Sequence, residues 1–547
     1  MTMIERKSPQ TRTDALVLVA FCGFLFFYGL GSFGLLGADE PRYAQIAREM
    51  LNRSDWVTPL LLGKPWLEKP VLYYWQAMIS FRLAGVSDQA ARLPAAFDAS
   101  LLILGIYFFL RRFRPGSELD GALIAASCVG VIGFAHAAAT DMPLAATFGI
   151  ALLAWYAWYE SGRRGYLLLS YIFLALGTLA KGPVAPALAG AIVFLFAAVK
   201  RDWRVLVRSL WLPGLAAYLI VALPWYVAVQ LRNPEFFRFF ILEHNLTRFS
   251  QDVYHHRQPF WYYLPIFLLA VTPWAVLLIA AVGERLRLIW NEGKEAFTSS
   301  DDSWALFLLL WMFVPILFFS ASQSKLPGYI LPAVPAGALL VADYLAGRRN
   351  MALDGQSTMN GKRFSIPFAI AHGALCGLLI FAAFSAAKVI ISHRLRFESG
   401  TYTTGAIAAV VAIGIAVTLL SRTGLRLLRP ITLFVVVVGI AVVIRTAAPV
   451  IDATQSARPI AESIESFSHE PVPVALFHVS RVQEYGLEFY LNRSTPKYED
   501  GIVPASEHVV VAPQGSQSQV AQLTPGRRVS YLTSIPAQKL ELYWVEK

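Results

Sequence analysis

"ALVLVAFCGFLFFYGLGSFGLLGADEPRYAQIAREM", Ala15 to Met50, decides the class of this chain. An apolar run matching the roughly 20 residues that cross a ~30 Å hydrocarbon layer leads directly into two acids, a proline, an arginine and a tyrosine. Comparable runs recur along most of the 547 residues, of which 56% are hydrophobic and 15% charged. The chain therefore reads as a polytopic membrane protein. Cys22, Cys128 and Cys376 each sit in an apolar run, which suits small core residues better than a disulfide framework or a metal site. A net charge of +11 would suggest nucleic acid in a soluble protein; here it fits cytoplasmic loops against anionic lipid. "MTMIERKSPQTRTD" is basic, and no small-residue cleavage site follows the apolar run, so the first span is expected to be retained.

Lysine and arginine order the spans. Arg6, Lys7 and Arg12 place the N-terminus in the cytoplasm, and a span from about Asp14 to Leu36 delivers "GADEPRY" to the outside. "VLYYWQAMISFRLAG" is short and interrupted by Arg82. We expect it to lie in the interface as an amphipathic helix within an external loop over 37–92. The run from about Leu93 to Leu110 then carries Arg111, Arg112 and Arg114 to the cytoplasm. Continued alternation, with a second external loop over 230–260, gives about 13 spans with every dense basic cluster inside. After Ile451 the pattern changes. "SARPIAESIESFSHE" and "EYGLEFYLN" read as helices, and "PVPVALFHV", "EHVVVAP", "RRVSYLT" and "LELYWVEK" as strands. The expected organisation is an all-α membrane domain over 1–450 and a small α/β domain over 451–547, placed outside by the odd number of spans.

The charged residues that structure alone explains poorly gather on the external side. In "GADEPRYAQIAREML", Pro41 suits a first helical turn, and Asp39 and Glu40 suit its positive end. A capped interfacial helix needs one acid; two beside Arg42 and Tyr43 at a membrane exit point to function. Asp141 in "AHAAATDMPLAA" is a lone carboxylate at the outer end of an apolar hairpin, where ionisable groups are costly and usually functional. "KPWLEKPVLYYW" sets Glu68 beside Lys69, ahead of Tyr73, Tyr74 and Trp75. The aromatics suit a headgroup belt and Lys69 a lipid phosphate. Lys181 in "LAKGP" reads as a snorkelling boundary lysine. "EHNLTRFSQDVYHHRQPFWYY" holds His244, Arg248, His255, His256 and Arg257, a set able to bind phosphate or a divalent metal ion. Vicinal histidines rarely share one ion, so a metal site would combine His256 with Glu68 and His478. "SKLPGYILPAVPA" places Lys325 and Tyr329 in a proline-rich break fit to line a cavity. Carboxylates beside several cations at headgroup level suit a lipid-phosphate-linked donor, whose departing phosphate the cations would neutralise. No G-x-x-x-x-G-K-[ST] loop occurs, which argues against an ATP-driven pump.

With these segments assembled, the chain resembles the GT-C membrane glycosyltransferases of the protein O-mannosyltransferase type. Among them it is most similar to the bacterial family that transfers 4-amino-4-deoxy-L-arabinose (aminoarabinose) to lipid A. The resemblance rests on "GADEPRYA", "WLEKPVLYYW", "ARLPAA", "TDMPLAA", "GTLAKGPVAPAL", "EHNLTRF" with "QPFWYYLP", and "SKLPGYILPAVPA", in the family's order over about the first 345 residues. It implies a GT-C fold with a periplasmic C-terminal domain, in the bacterial inner membrane. The donor it implies is undecaprenyl phosphate carrying aminoarabinose, the acceptor a lipid A phosphate, and the outcome resistance to polymyxin and other cationic peptides. Asp39 and Asp141 fall on the family's two catalytic loop acids; Arg42, Tyr43, Lys69 and Tyr329 fall in segments associated with the polyprenyl phosphate. To these we add Arg248 and Arg257 as phosphate ligands. The chain is expected to act as a monomer, without nucleic acid. Another GT-C transferase with a protein or glycan acceptor is the first rival reading. A lipid-sugar flippase ranks behind it, because charges crowd the external face and are sparse at the predicted span centres.

Overall fold

The computed structural model describes residues 8–240, 258–292, 300–353, 364–392, 399–421, 423–467 and 471–547. Helix α1 (Ser8–Cys22) continues into a π turn (Gly23–Phe27), after which the backbone is extended at Tyr28 and left-handed at Gly29, φ 80°. The first apolar helix thus ends near Phe27 and not at Leu36. The cause lies far along the chain. Arg92, fully buried, donates to the carbonyl oxygens of Leu30 (2.8 Å), Phe33 (2.7 Å) and Gly34 (2.8 Å) and to the Glu40 carboxylate (2.6 Å). Carbonyls that a longer helix would have satisfied internally are thereby satisfied in a buried loop.

The first long loop holds α2 (Asp39–Asn52), a hairpin of β1 (Leu60–Leu61) and β2 (Lys64–Pro65), and α3 (Leu72–Ala84). The 13 residues of α3, at about 1.5 Å of rise each, are too few to cross ~30 Å. Tyr73 and Tyr74 on α3 are fully buried against Tyr43 and do not form a headgroup belt. The bundle continues with α4 (Asp88–Phe113), α5 (Glu118–Ala126), α6 (Val129–Ala135), α7 (Asp141–Ser161), α8 (Arg164–Lys181), α9 (Val184–Lys200), α10 (Trp203–Ser209) and α11 (Leu212–Arg232). Next come α12 (Tyr263–Val271), α13 (Ala275–Glu292), α14 (Ser300–Ala321), a 3-10 segment (Pro327–Ala333), α15 (Val334–Leu353), α16 (Ile366–Ser392), α17 (Ser399–Leu420) and α18 (Gly424–Val442).

By length and composition, eight described helices can cross a membrane, or ten if each of two bent pairs counts as one span. The sequence-based count of about 13 also included α1, α8 and α9. The first bent pair is α5 with α6 (62°), the second the segment through α12 with α13 (117°). The two breaks satisfy each other: Val129 N–H donates to Thr272 O (2.9 Å) and Trp274 Nε1 to Ser127 Oγ (2.8 Å). This is the condition under which irregular backbone is tolerated at membrane depth. The bundle is organised around α7, 94% of whose apolar window is buried, against 17% for α17 and 22% for α11. The most enclosed helix is therefore the one that begins at Asp141.

Beyond α19 (Ala448–Gln455) lie α20 (Arg458–Phe467), β3 (Val474–Leu476), α21 (Arg481–Leu491), β4 (His508–Pro513), α22 (Gln517–Leu523), β5 (Val529–Ile535) and β6 (Leu540–Val545). The sheet order is β3-β4-β6-β5, with β3 parallel to β4 and the other pairs antiparallel. Alternation along the strands divides two cores. Val474, Leu476, Val509, Val511 and Leu542 face one side with Ile460 and Ile464 of α20, and Ala475, Val510, Ala512 and Tyr543 face the other with Val520 of α22. This unit docks onto the first loop: Gly34 N–H donates to Asp452 (2.7 Å), Leu35 N–H to Tyr490 Oη (2.7 Å), and Leu36 pairs with Ser456 in a β-bridge. A Cβ at Gly34 would collide with Ser456 Oγ and Tyr490 Oη, so glycine permits the approach.

Candidate functional site

Five junctions between elements converge on one cavity of about 280 Å³. Its lining includes Asp39, Arg42 and Tyr43 of α2, Glu68 and Lys69 after the hairpin, Phe134 of α6, Thr140 and Asp141 at the start of α7, Lys181 ending α8, and Leu326 to Tyr329. Asp39 and Asp141 occupy the first turns of their helices, where the peptide dipoles present positive charge, and Lys181 the last turn of its own.

Asp141 is ion-paired with Lys181 at 2.5 Å, and the Lys181 ammonium lies 4.7 Å from the centre of the Tyr329 ring. A Cβ at Gly328 would lie 2.5 Å from Asp141 Oδ1, so only glycine lets the proline-rich break close against this carboxylate. Arg42 pairs with Asp39, whose side chain remains 54% exposed. The Arg42 guanidinium carbon lies 4.7 Å from the ring centre of Trp66 and 5.3 Å from those of Tyr43 and Tyr485. Burial opposes its charge, but a hydrogen bond with Tyr43 and the carboxylates of Asp39 and Glu68 outweigh that and raise its pKa above the usual range. Burial also pushes the Tyr43 and Tyr74 hydroxyls upward, so both act as neutral groups.

The hairpin that aims Glu68 and Lys69 is itself anchored to α2. Leu62 and Gly63 carry the turn with φ of 52° and 76°, and their N–H groups donate to Glu49 at 2.7 Å and 3.1 Å. Behind the cavity, Glu40 accepts from Arg92 and from Leu36 N–H (2.9 Å), while its other oxygen accepts from Ala138 N–H (3.1 Å). That carboxylate ties the start of α2 to the loop preceding α7 and fixes the separation of Asp39 from Asp141.

Of the residues singled out in the sequence, the structure brings Asp39, Arg42, Tyr43, Glu68, Lys69, Asp141 and Tyr329 to this cavity. His478 is placed elsewhere, ion-paired through Nδ1 with Glu499 at 3.1 Å. Arg248, His256 and Arg257 lie outside the described residues. Among the described residues no three His, Cys, Asp or Glu side chains are grouped to hold a metal ion. Sequence reading had set Lys181 aside as a boundary lysine, and it missed Trp66 and Tyr485. Only the position of Lys181 opposite Asp141 in the next hairpin could have signalled its role.

The fold matches the crystal structure of ArnT from Cupriavidus metallidurans bound to undecaprenyl phosphate over 97% of each chain, with a TM-score of 0.75 and 22% identity. Residues 68–227 match the dolichyl-phosphate-mannose-protein mannosyltransferase family. The architecture is that of a GT-C membrane glycosyltransferase. Among curated relatives, an undecaprenyl phosphate-α-4-amino-4-deoxy-L-arabinose arabinosyl transferase of Aeromonas salmonicida (strain A449) is 33% identical over 404 residues, 71% of this chain and 69% of that protein. The chain belongs to this arabinosyl transferase family. The Pseudomonas aeruginosa (strain UCBPP-PA14) member is 35% identical over 360 residues, which span 64% of this chain and 63% of that protein, just under two thirds of its length.

Proposed function

We propose that the protein transfers 4-amino-4-deoxy-L-arabinose from undecaprenyl phosphate to a phosphate of lipid A, inverting the anomeric carbon. The observation that carries this reading is the cavity in which Asp39–Arg42, Asp141–Lys181 and the Glu68–Lys69 segment meet. The names of the relatives and the undecaprenyl phosphate of the ArnT structure support the donor. The reaction takes place on the periplasmic side of the bacterial inner membrane, with the C-terminal unit on the same side, and the monomer is the working form. Asp141 and Lys181 close one end of α7 and α8 while Arg163 and Arg164 lie at the other, which suits the positive-inside rule.

The acceptor phosphate oxygen attacks the anomeric carbon as the bond to the donor phosphate breaks, and undecaprenyl phosphate leaves with the electron pair. A phosphate monoester has a second pKa of about 6 and is already largely ionised, so a strong general base is unnecessary. Arg42 and Lys69 neutralise the charge that grows on the leaving phosphate. Asp39 and Asp141 flank the sugar, where they hold the cations in place, pair with its ammonium group and counter the positive charge of an oxocarbenium-like transition state. Outside the described residues, Arg248 and Arg257 are assigned to the same phosphate.

The test is mass spectrometry of lipid A from donor-competent cells lacking their own transferase, with and without this chain. Added aminoarabinose that disappears with Asp39→Asn is the expected result. Unmodified lipid A with the protein present in the membrane would overturn the acceptor. The match over 68–227 to the mannosyltransferase family favours a protein acceptor as the second reading.

A further inference from the structure

The C-terminal unit does more than rest on the first loop: one of its helices runs along the cavity helix. On α2, Arg42, Gln45, Arg48 and Glu49 share a face at helical spacing, and on α21 Tyr485, Glu488 and Phe489 do the same, with Asn492 just past its C-terminal end. The two surfaces meet in three rungs, whose order along α2 does not follow that along α21. Gln45 Nε2 donates to Asn492 Oδ1 at 3.4 Å, and Arg48 donates to the Phe489 carbonyl at 2.8 Å while stacking 4.4 Å from that ring. The last rung, nearest the cavity, is Tyr485 against Arg42 at 5.3 Å. Close packing of α21 on the unit fixes the position of Tyr485, since a Cβ at neighbouring Gly486 would collide with Ala457.

Arg42 needs such a support. Its Nε is buried without a hydrogen-bond partner among the described residues. Its other holds are the half-exposed Asp39, the charge of Glu68, the ring of Trp66, and Tyr43 through both its ring and a side-chain hydrogen bond. Aromatic faces attract a guanidinium without consuming its N–H groups, so a stacked Arg42 keeps donors available for phosphate.

We propose that Tyr485 is a positioning residue of the transfer reaction: its ring holds the Arg42 guanidinium against Trp66 and aims it at the departing phosphate, so the C-terminal unit completes the cavity. The inference rests on the transferase reading given above. Because Arg42 meets charge that appears as the sugar leaves, Tyr485 acts on turnover and on the dianionic product more than on the donor.

The experiment uses the full chain, purified, with aminoarabinosyl undecaprenyl phosphate and lipid A, and measures kcat, donor KM and the affinity for undecaprenyl phosphate. Tyr485→Ala is expected to lower kcat about tenfold, in the range of a partly desolvated cation–ring contact, with donor KM within about twofold and weaker undecaprenyl phosphate binding. Tyr485→Phe should restore all three. In an Arg42→Ala background, Tyr485→Ala should cost nothing further. Arg48→Ala, which loosens a rung remote from the cavity, should lower thermal stability and leave kcat near wild type. An undiminished kcat in Tyr485→Ala, failure of phenylalanine to rescue, or an equal loss on the Arg42→Ala background would overturn the proposal. Should the wild type fail to modify lipid A, the transferase reading falls by itself. The undecaprenyl phosphate affinities of the same variants then decide the Tyr485–Arg42 coupling.

Discussion

Asp39 leans into the cavity with its side chain 54% exposed and one oxygen on Arg42, whereas Glu40, the next residue, turns inward and is enclosed by Arg92 and by the N–H groups of Leu36 and Ala138. Each acid meets an arginine, yet the two regions differ in what is left over. Around Arg92 the carboxylate and the carbonyls of Leu30, Phe33 and Gly34 use its terminal nitrogens, and the cluster holds the chain together. Around Arg42 the partners are rings, a half-exposed acid, the Tyr43 hydroxyl and the nearby Glu68, and the cluster lines the cavity. The same contrast separates the cavity from the other end of the bundle. There Asp120, 4% exposed, is clamped by Arg349 and Arg429. An ion pair at a membrane surface marks a site when its polar groups are held in place but not used up.

This contrast can be broken experimentally. The largest effect should come from Arg92→Leu. Leaving Glu40 buried without its partner should cost about 3–5 kcal/mol, read as loss of folded protein in a thermal unfolding assay in detergent. A variant as stable as wild type would show that the Arg92 cluster is dispensable. Asp39→Asn should do the opposite, keeping the melting temperature and lowering transfer by at least about 100-fold; parallel loss of both would erase the distinction between the neighbours. Lys181→Met should lower turnover about 10- to 100-fold by freeing Asp141, and an unaffected enzyme would return Lys181 to a boundary role.

The smallest effect concerns Glu488 on α21. Burial, with Glu484 nearby, pushes its carboxyl up from 4.5 to about 8. Lys497 opposes the shift, and Glu49 of α2 reinforces it. The folded protein therefore holds a proton that the unfolded chain releases. The stabilisation is complete below about pH 4.5 and is lost as pH rises through about 8. Melting temperature should fall between pH 5.5 and 8.5, and Glu488→Gln should flatten that slope. An identical slope in the variant would place the titration elsewhere.

Which of these roles could be read from the sequence follows from the range of each interaction. Helices, strands and the acids at 39 and 141 were legible because apolar runs, alternation and a charge out of place are local signals. The single helix missed in the C-terminal unit, α22, is seven residues long and carries no acid or base. Glu40 was grouped with Asp39 because its true partner, Arg92, lies 52 positions away, at the end of what reads as an external loop. The same hidden partner made the first span look longer than it is, since Gly29 to Leu36 is apolar but serves as a folded loop. Lys181 was read as snorkelling because a carboxylate 40 positions earlier is invisible to local pattern. Tyr485 sits more than 400 positions from Arg42 and belongs to a helix whose sequence suggests only a small soluble fold.

The bridge between Leu36 and Ser456, with Gly34 against Asp452 and Leu35 against Tyr490, also has a temporal meaning. A ribosome makes the first loop more than 400 residues before these partners. The loop therefore acquires these contacts long after it is made. A truncated or still-growing chain has the acids and cations of the cavity but lacks the helix that braces them. The order of synthesis thus makes the joining of loop and C-terminal unit a late step in assembly.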